Sequence, residues 1–157
     1  MTNKRKNKQQ FGITEKVFKQ LTNLLDQLGN SIELLYYLMN INQEKSFVAA
    51  LISADEIDLE AMIMQQKRKT DILFEIDKKK NLYALLCQDT RLEGGYYFIK
   101  RLVETAQKEG GKNVYCSEVD VPNTHHPIHE IIFRLLNMYN RVKSEKADGK
   151  ISFYSLT

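Results

Sequence analysis

The sequence predicts an α+β domain: a central, mainly antiparallel sheet flanked by helices, with a helical extension at the N-terminus. Three observations lead there. Segments of nearly continuous apolar character alternate with segments whose apolar residues recur every three or four positions, which separates covered strands from amphipathic helices. Two strand-like segments, residues 72–76 and 82–87, are separated only by the polar stretch Asp77-Lys78-Lys79-Lys80-Asn81, the spacing of a hairpin. Finally, 157 residues with 43% hydrophobic content make one domain with a sizeable core.

Taken in order, residues 1–12 carry Lys4, Arg5, Lys6 and Lys8 and no acid, and are expected to form a disordered basic tail. Residues 13–42 follow a helical pattern with apolar residues at Val17, Leu21, Leu24, Leu28, Leu35 and Leu38. Gly29-Asn30-Ser31 interrupts it: Gly29 suits a helix stop and Ser31 a cap, so a pair of helices and one long broken helix are both open. The stripe serves either packing onto the domain or a homodimer made through those six residues. Residues 46–54, "SFVAALISA", read as a central strand covered on both faces. Ser53 and Glu56 form a capping-box pattern for a short helix that presents Leu59, Met62 and Ile63 and ends near Gln66.

The hairpin follows, with Ile72, Phe74 and Ile76 alternating with Leu73 and Glu75, and an apolar return strand. Thr90 and Glu93 form a second capping box for a helix whose inward stripe is Leu92, Tyr96, Ile99, Leu102, Val103 and Ala106, stopped by Gly110-Gly111. "NVYCSEVDV" is a fourth strand, broken by Pro122. Pro127 suits the first position of a helix carrying Ile128, Ile131, Leu135, Met138, Tyr139 and Val142, and Asp148-Gly149 turns the chain into "KISFYSL". After the N-terminal helix the order is β-α-β-β-α-β-α-β. That is the ferredoxin-like pattern extended by one helix and one strand.

The charge excludes some functions. Lys and Arg number 23 against 20 Asp and Glu, and four of the cations lie in the tail, so the body is close to neutral. It lacks the broad basic face that nucleic acid requires. No apolar run approaches the ~18 residues of a membrane span, and no signal-peptide core follows the basic tail, so a cytoplasmic protein is expected. Cys87 and Cys116 end apolar runs and read as small hydrophobes without a redox role. His125, His126 and His129 cluster in "THHPIH", but Pro127 puts His125 outside the helix; a polar loop with His126 as cap is expected rather than a metal site. No cofactor is expected.

At Arg68-Lys69-Thr70-Asp71, Gln88-Asp89-Thr90, Lys100-Arg101-Leu102 and Tyr139-Asn140-Arg141-Val142-Lys143 with Gly149-Lys150-Ile151, the chain resembles the GGDEF family, the diguanylate cyclase domains of bacterial signalling. The resemblance covers residues 46–154 and assigns residues 46–157 to a GGDEF-like domain. Members of that family carry a glycine pair and two acids at the hairpin turn, where glycine lets backbone approach phosphate and the acids hold metal. Here the turn is Asp77-Lys78-Lys79-Lys80-Asn81, without glycine and with three cations that repel a metal ion. The segment "DEIDLEAMIMQQK" is also shorter than its counterpart in the family and offers no phosphate cradle. Asp55, Glu56 and Asp58 resemble the family's metal-binding aspartate in position, yet acids at a helix start are expected from the helix dipole alone. The resemblance therefore implies a degenerate domain without cyclase activity or metal.

In the family, Arg-x-x-Asp is an allosteric site for cyclic di-GMP, and inactive domains of the PelD type of exopolysaccharide regulator use it as a receptor site. The resemblance accordingly implies cyclic di-GMP as ligand of Arg68, Asp71 and Arg101, and a protein partner in a bacterial signalling or exopolysaccharide system. An arginine fork can donate to guanine O6 and N7 while a carboxylate accepts from N1 and N2. The residues alone leave a structural reading open, an Arg68–Asp71 ion pair or an Asp71 turn cap. The rival function is a dimerising scaffold without nucleotide binding. The lysine triplet is read as a solvated hairpin tip or as a contact for an acidic partner.

Overall fold

The computed structural model describes residues 12–42, 46–88 and 92–157. The expected basic tail before Gly12 and the expected Thr90–Glu93 capping box lie outside the described residues.

Helix α1, Glu15–Asn42, opens with the Thr14 hydroxyl accepting the Val17 N–H at 3.2 Å and runs unbroken through Gly29-Asn30-Ser31. The expected interruption is absent because Leu24, Leu28, Ile32 and Leu35 are buried along one face that spans the glycine. Packing of that face outweighs the ~1 kcal/mol that glycine costs inside a helix. Ile32, which is not among the six residues of the expected stripe, joins the buried face between Leu28 and Leu35. That face also overturns the expected dimer surface: Leu24, Leu28 and Leu35 are buried in the chain's own core, Val17 and Leu21 pack against it, and of the six only Leu38 is exposed.

Strand β1, Phe47–Asp55, is buried along its first eight residues, as its apolar run predicts. It extends past Ser53, which pairs with Leu82 on one side and Tyr115 on the other and shares a 2.6 Å hydrogen bond with the Tyr139 hydroxyl. Ser53 is thus a strand residue and not the expected cap. Helix α2, Leu59–Gln66, is capped instead by Asp58, whose carboxylate accepts the Ala61 N–H at 3.1 Å. Strands β2, Asp71–Asp77, and β3, Leu82–Gln88, form the hairpin. Helix α3, Leu92–Lys108, ends with the Gly111 N–H on the Ala106 carbonyl and Gly110 at a φ of +95°. Strand β4, Lys112–Val121, leads to helix α4, Ile128–Ser144, and then to β5, Ile151–Ser155. Pro127 is the residue before the first turn of α4, and no side chain caps that helix. His126 is therefore not the cap; its carbonyl accepts the Tyr36 hydroxyl at 2.6 Å.

The sheet order is β2-β3-β1-β4-β5, with β1 antiparallel to β3 and β4, and β5 parallel to β4. The first four strands have the ferredoxin-like arrangement and β5 is the added edge. Alternation along β1 divides the core. Phe47, Ala49 and Leu51 face α1 and α4, whereas Val48, Ala50 and Ile52 face α2 and α3. Cys87 and Cys116 are free, buried in the second layer, and burial pushes both thiols above their ordinary pKa. Among the described residues no helix is long and apolar enough to cross a membrane.

Candidate functional site

The corner between α2 and β2 is built around Asp71. Its side chain is wholly buried, and both carboxylate oxygens accept from Arg68: Oδ1 from Nη2 at 2.8 Å and Nε at 3.1 Å, Oδ2 from the backbone N–H at 2.9 Å. The three-residue spacing closes a turn in which the carboxylate bonds both the main chain and the side chain of one residue. Lys67 Nζ reaches the Asp71 carbonyl at 2.9 Å, and Arg68 Nη2 also donates to the Gln88 carbonyl at 2.7 Å. Gln88 in turn donates to the Thr70 carbonyl at 2.8 Å. The result is a guanidinium held in one orientation with half of its side chain still exposed.

Arg68, Thr70 and Gln88 line a cleft of about 260 Å³ together with the apolar Leu35, Leu38, Met39 and Phe47 and the polar Asn42 and Ser46. Arg101 lies on the exposed face of α3 with its guanidinium 5.8 Å from the centre of the Phe98 ring. The structure thus joins Arg68 and Asp71 directly, while among the described contacts none links Arg101 to either of them. Asp71 faces inward, so its geometry suits holding Arg68 rather than reading a base edge.

The hairpin tip forms a second cleft, of about 590 Å³, lined by Ser53, Asp55, Lys79, Lys80, Asn113, Tyr115, Tyr139, Lys143 and Lys146. Asp77 is occupied in the turn itself, accepting the Lys80 N–H at 3.2 Å. Asn81, at a φ of +51°, fastens the tip to the end of β1 by donating to the carbonyls of Ala54 at 2.7 Å and Ile57 at 3.0 Å. Asp55 Oδ2 accepts the Asn113 amide at 2.8 Å. A divalent ion needs several oxygen ligands, commonly carboxylates. Four lysines and one carboxylate do not fit that requirement.

The histidine cluster does not assemble. Among the described residues no three His, Cys, Asp or Glu side chains are placed to hold a metal. Two groups escaped the sequence reading. Glu118 and Asp120 lie on one face of β4, both buried, and no hydrogen bond reaches either carboxylate among the described residues. Their signal was two acids at alternate positions within the mainly apolar run of residues 114–121. Lys143 and Lys146 join the hairpin lysines; Lys143 follows Tyr139 by four residues, on the same face of α4, whereas Lys146 lies past the end of that helix.

No protein-family model matches the chain, and no curated protein matches it. Solved structures do. The GGDEF domain of DgcB from Caulobacter crescentus, in complex with c-di-GMP, superposes with a TM-score of 0.64 at 6% identity over 80% of this chain and 87% of that one. The active GGEEF domain of a diguanylate cyclase from Vibrio cholerae gives 0.61 at 10% identity, over 79% and 92%. The diguanylate cyclase SiaD from Pseudomonas aeruginosa, in complex with its activator SiaC, gives 0.60 at 11% identity over 79% of this chain. The match spans 55% of the SiaD chain. The fold is therefore GGDEF-like, as the motifs in the sequence led one to expect.

Proposed function

We propose that the chain is a regulatory domain of bacterial second-messenger signalling that does not make cyclic di-GMP but binds it, and passes that state to a protein partner, in an exopolysaccharide or related system of the cytoplasm. Arg68 is the principal contact, Asp71 holds it in place, and Arg101 supplies a further contact from α3. One observation carries the reading: a half-exposed guanidinium, fixed by a buried carboxylate, at the mouth of a cleft of about 260 Å³. An arginine oriented in advance spends little conformational entropy on binding a guanine edge or a phosphate. The absence of cyclase activity rests on the lysines and the single carboxylate of the hairpin cleft.

Titration calorimetry tests this. Cyclic di-GMP should bind the full chain, and Arg68→Ala should weaken it about tenfold or more, a loss of ~1.4 kcal/mol or greater. No heat with the wild type, or unchanged affinity in the variant, rejects the site. Incubation with GTP and magnesium should yield no cyclic product.

A dimerising scaffold is the second reading, favoured by a different stripe from the one expected: Leu34, Tyr37, Leu38 and Ile41 are exposed on one face of α1. On that reading sedimentation equilibrium gives a dimer that Tyr37→Glu with Ile41→Glu converts to monomer. A wild-type monomer at every concentration rejects it.

A further inference from the structure

Among the described residues the sheet has two edges, β2 and β5, and they are finished differently. Strand β2 carries Asp71, Glu75 and Asp77, with Asp71 pointing inward, and its register shifts between Glu75 and Asp77. Inward-pointing charges and bulges are devices that keep an edge from pairing with another chain. Strand β5, Ile151-Ser152-Phe153-Tyr154-Ser155, has neither: it carries no charge, proline or glycine and stays in regular register with β4. Its length is that of an ordinary strand. Phe153 meets the Tyr96 ring at 5.6 Å on the α3 side, and Tyr154 lies 4.1 Å below the Arg134 guanidinium on the α4 side, yet both remain exposed. Hydrogen bonding alternates along the strand, and the Leu156 N–H on the Asp120 carbonyl at 3.0 Å sets its parity. Ser152, Tyr154 and Leu156 turn their main-chain groups toward β4, so Ile151, Phe153 and Ser155 turn theirs outward.

We propose that β5 pairs antiparallel with β5 of a second copy of this chain, across a two-fold axis at Phe153, joining the two sheets edge to edge. The outward groups are self-complementary about that axis. The two Phe153 residues exchange their N–H and C=O bonds, and Ile151 does the same with Ser155 of the partner subunit, the pattern of a hydrogen-bonded antiparallel pair. The two Phe153 rings then lie side by side on the α3 face, where each already meets its own Tyr96, and such aromatic pairs across strands are stabilising. On the other face Tyr154 stands opposite Ser152 of the partner subunit. No like charges are opposed: the two Lys150 residues flanking the pair lie six positions apart along it, about 20 Å, well beyond a Debye length of about 8 Å. The uncharged, symmetric edge favours a second copy over a foreign peptide strand. The interface depends neither on Arg68 nor on the exposed face of α1.

Sedimentation equilibrium and oxidative crosslinking of the full chain test the proposal. The wild type should dimerise with rising concentration, and Phe153→Lys, which sets two ammonium groups against each other on the axis, should weaken dimerisation about tenfold or more with an unchanged circular dichroism spectrum. Phe153→Cys should crosslink to a covalent dimer under mild oxidation, because directly opposed residues of such a pair stand within disulfide reach. Tyr154→Cys, one residue along and opposite Ser152 of the partner subunit, should crosslink poorly. The crosslinking pair keeps the test decisive even where Phe153→Lys unfolds the chain. A wild-type monomer at every concentration, a dimer that Phe153→Lys leaves intact, equal crosslinking of the two cysteine variants, or a dimer dissolved by Tyr37→Glu with Ile41→Glu overturns the proposal. Arg68→Ala should leave dimerisation unchanged, and Phe153→Lys should leave any cyclic di-GMP affinity unchanged, so the two readings fail separately.

Discussion

Replacing Glu118 with glutamine should make the chain markedly more stable at about pH 8.5 and remove most of a decline in stability that the wild type shows from about pH 4 upward. Glu118 is completely buried in β4, and Asp120, two residues on, is nearly so. Burial first, and then the Asp120 charge, push the Glu118 carboxyl up to about 8; burial pushes Asp120 up to about 6. Both groups hold their protons more tightly in the folded chain than in the unfolded one. Their contribution is therefore fully present below the unfolded carboxyl pKa and is lost as pH rises, through about 6 for Asp120 and about 8 for Glu118. For Glu118 the linkage amounts to something on the order of 3–5 kcal/mol, a large part of a typical domain's stability. The thiols of Cys87 and Cys116 in the same layer stay protonated throughout, since burial raises both. Urea unfolding across the pH range measures the effect. A wild type equally stable at both ends, or a variant that follows the wild-type curve, would contradict it.

Leu28→Ala should cost about 2–5 kcal/mol, whereas Leu38→Ala, ten residues along the same helix, should cost less than about 1 kcal/mol. Leu28 has no exposed surface and sits in the core layer with Leu86, Val119 and Leu135, so its loss leaves a cavity under rigid walls. Leu38 is 38% exposed and its truncation leaves no sealed void. Denaturant midpoints of the two variants give the comparison directly. Equal small effects would mean that α1 is not part of the folding unit, and would return its stripe to the role of a dimer surface.

The strands and helices were legible because each carries its own period. An eight-residue apolar run is a covered strand wherever it falls, and Leu59, Met62 and Ile63 share a face whatever they pack against. Helix ends were less legible. Ser53 with Glu56 has the spacing of a capping box, but pairing on both sides of β1 and the bond to Tyr139 claimed Ser53 for the sheet, leaving Asp58 to cap α2. Gly29 has the look of a stop, but a continuous buried face carried the helix through it.

The candidate sites divide in the same way. The Arg68–Asp71 spacing is a local fact, and a turn of four residues closes it without help from elsewhere. That Asp71 faces the interior and Arg68 the solvent depends on β2 lying against β3, which no short motif encodes. By itself the sequence determined the elements, their order and the lysine-rich tip, because these rest on interactions between near neighbours. Only the tertiary structure decided which face of α1 is buried, that Glu118 and Asp120 are both buried, and that Lys80 and Lys143 line one cleft. Those outcomes are set by packing between residues tens of positions apart, where hydrophobic burial outweighs local preference and the repulsion of like charges.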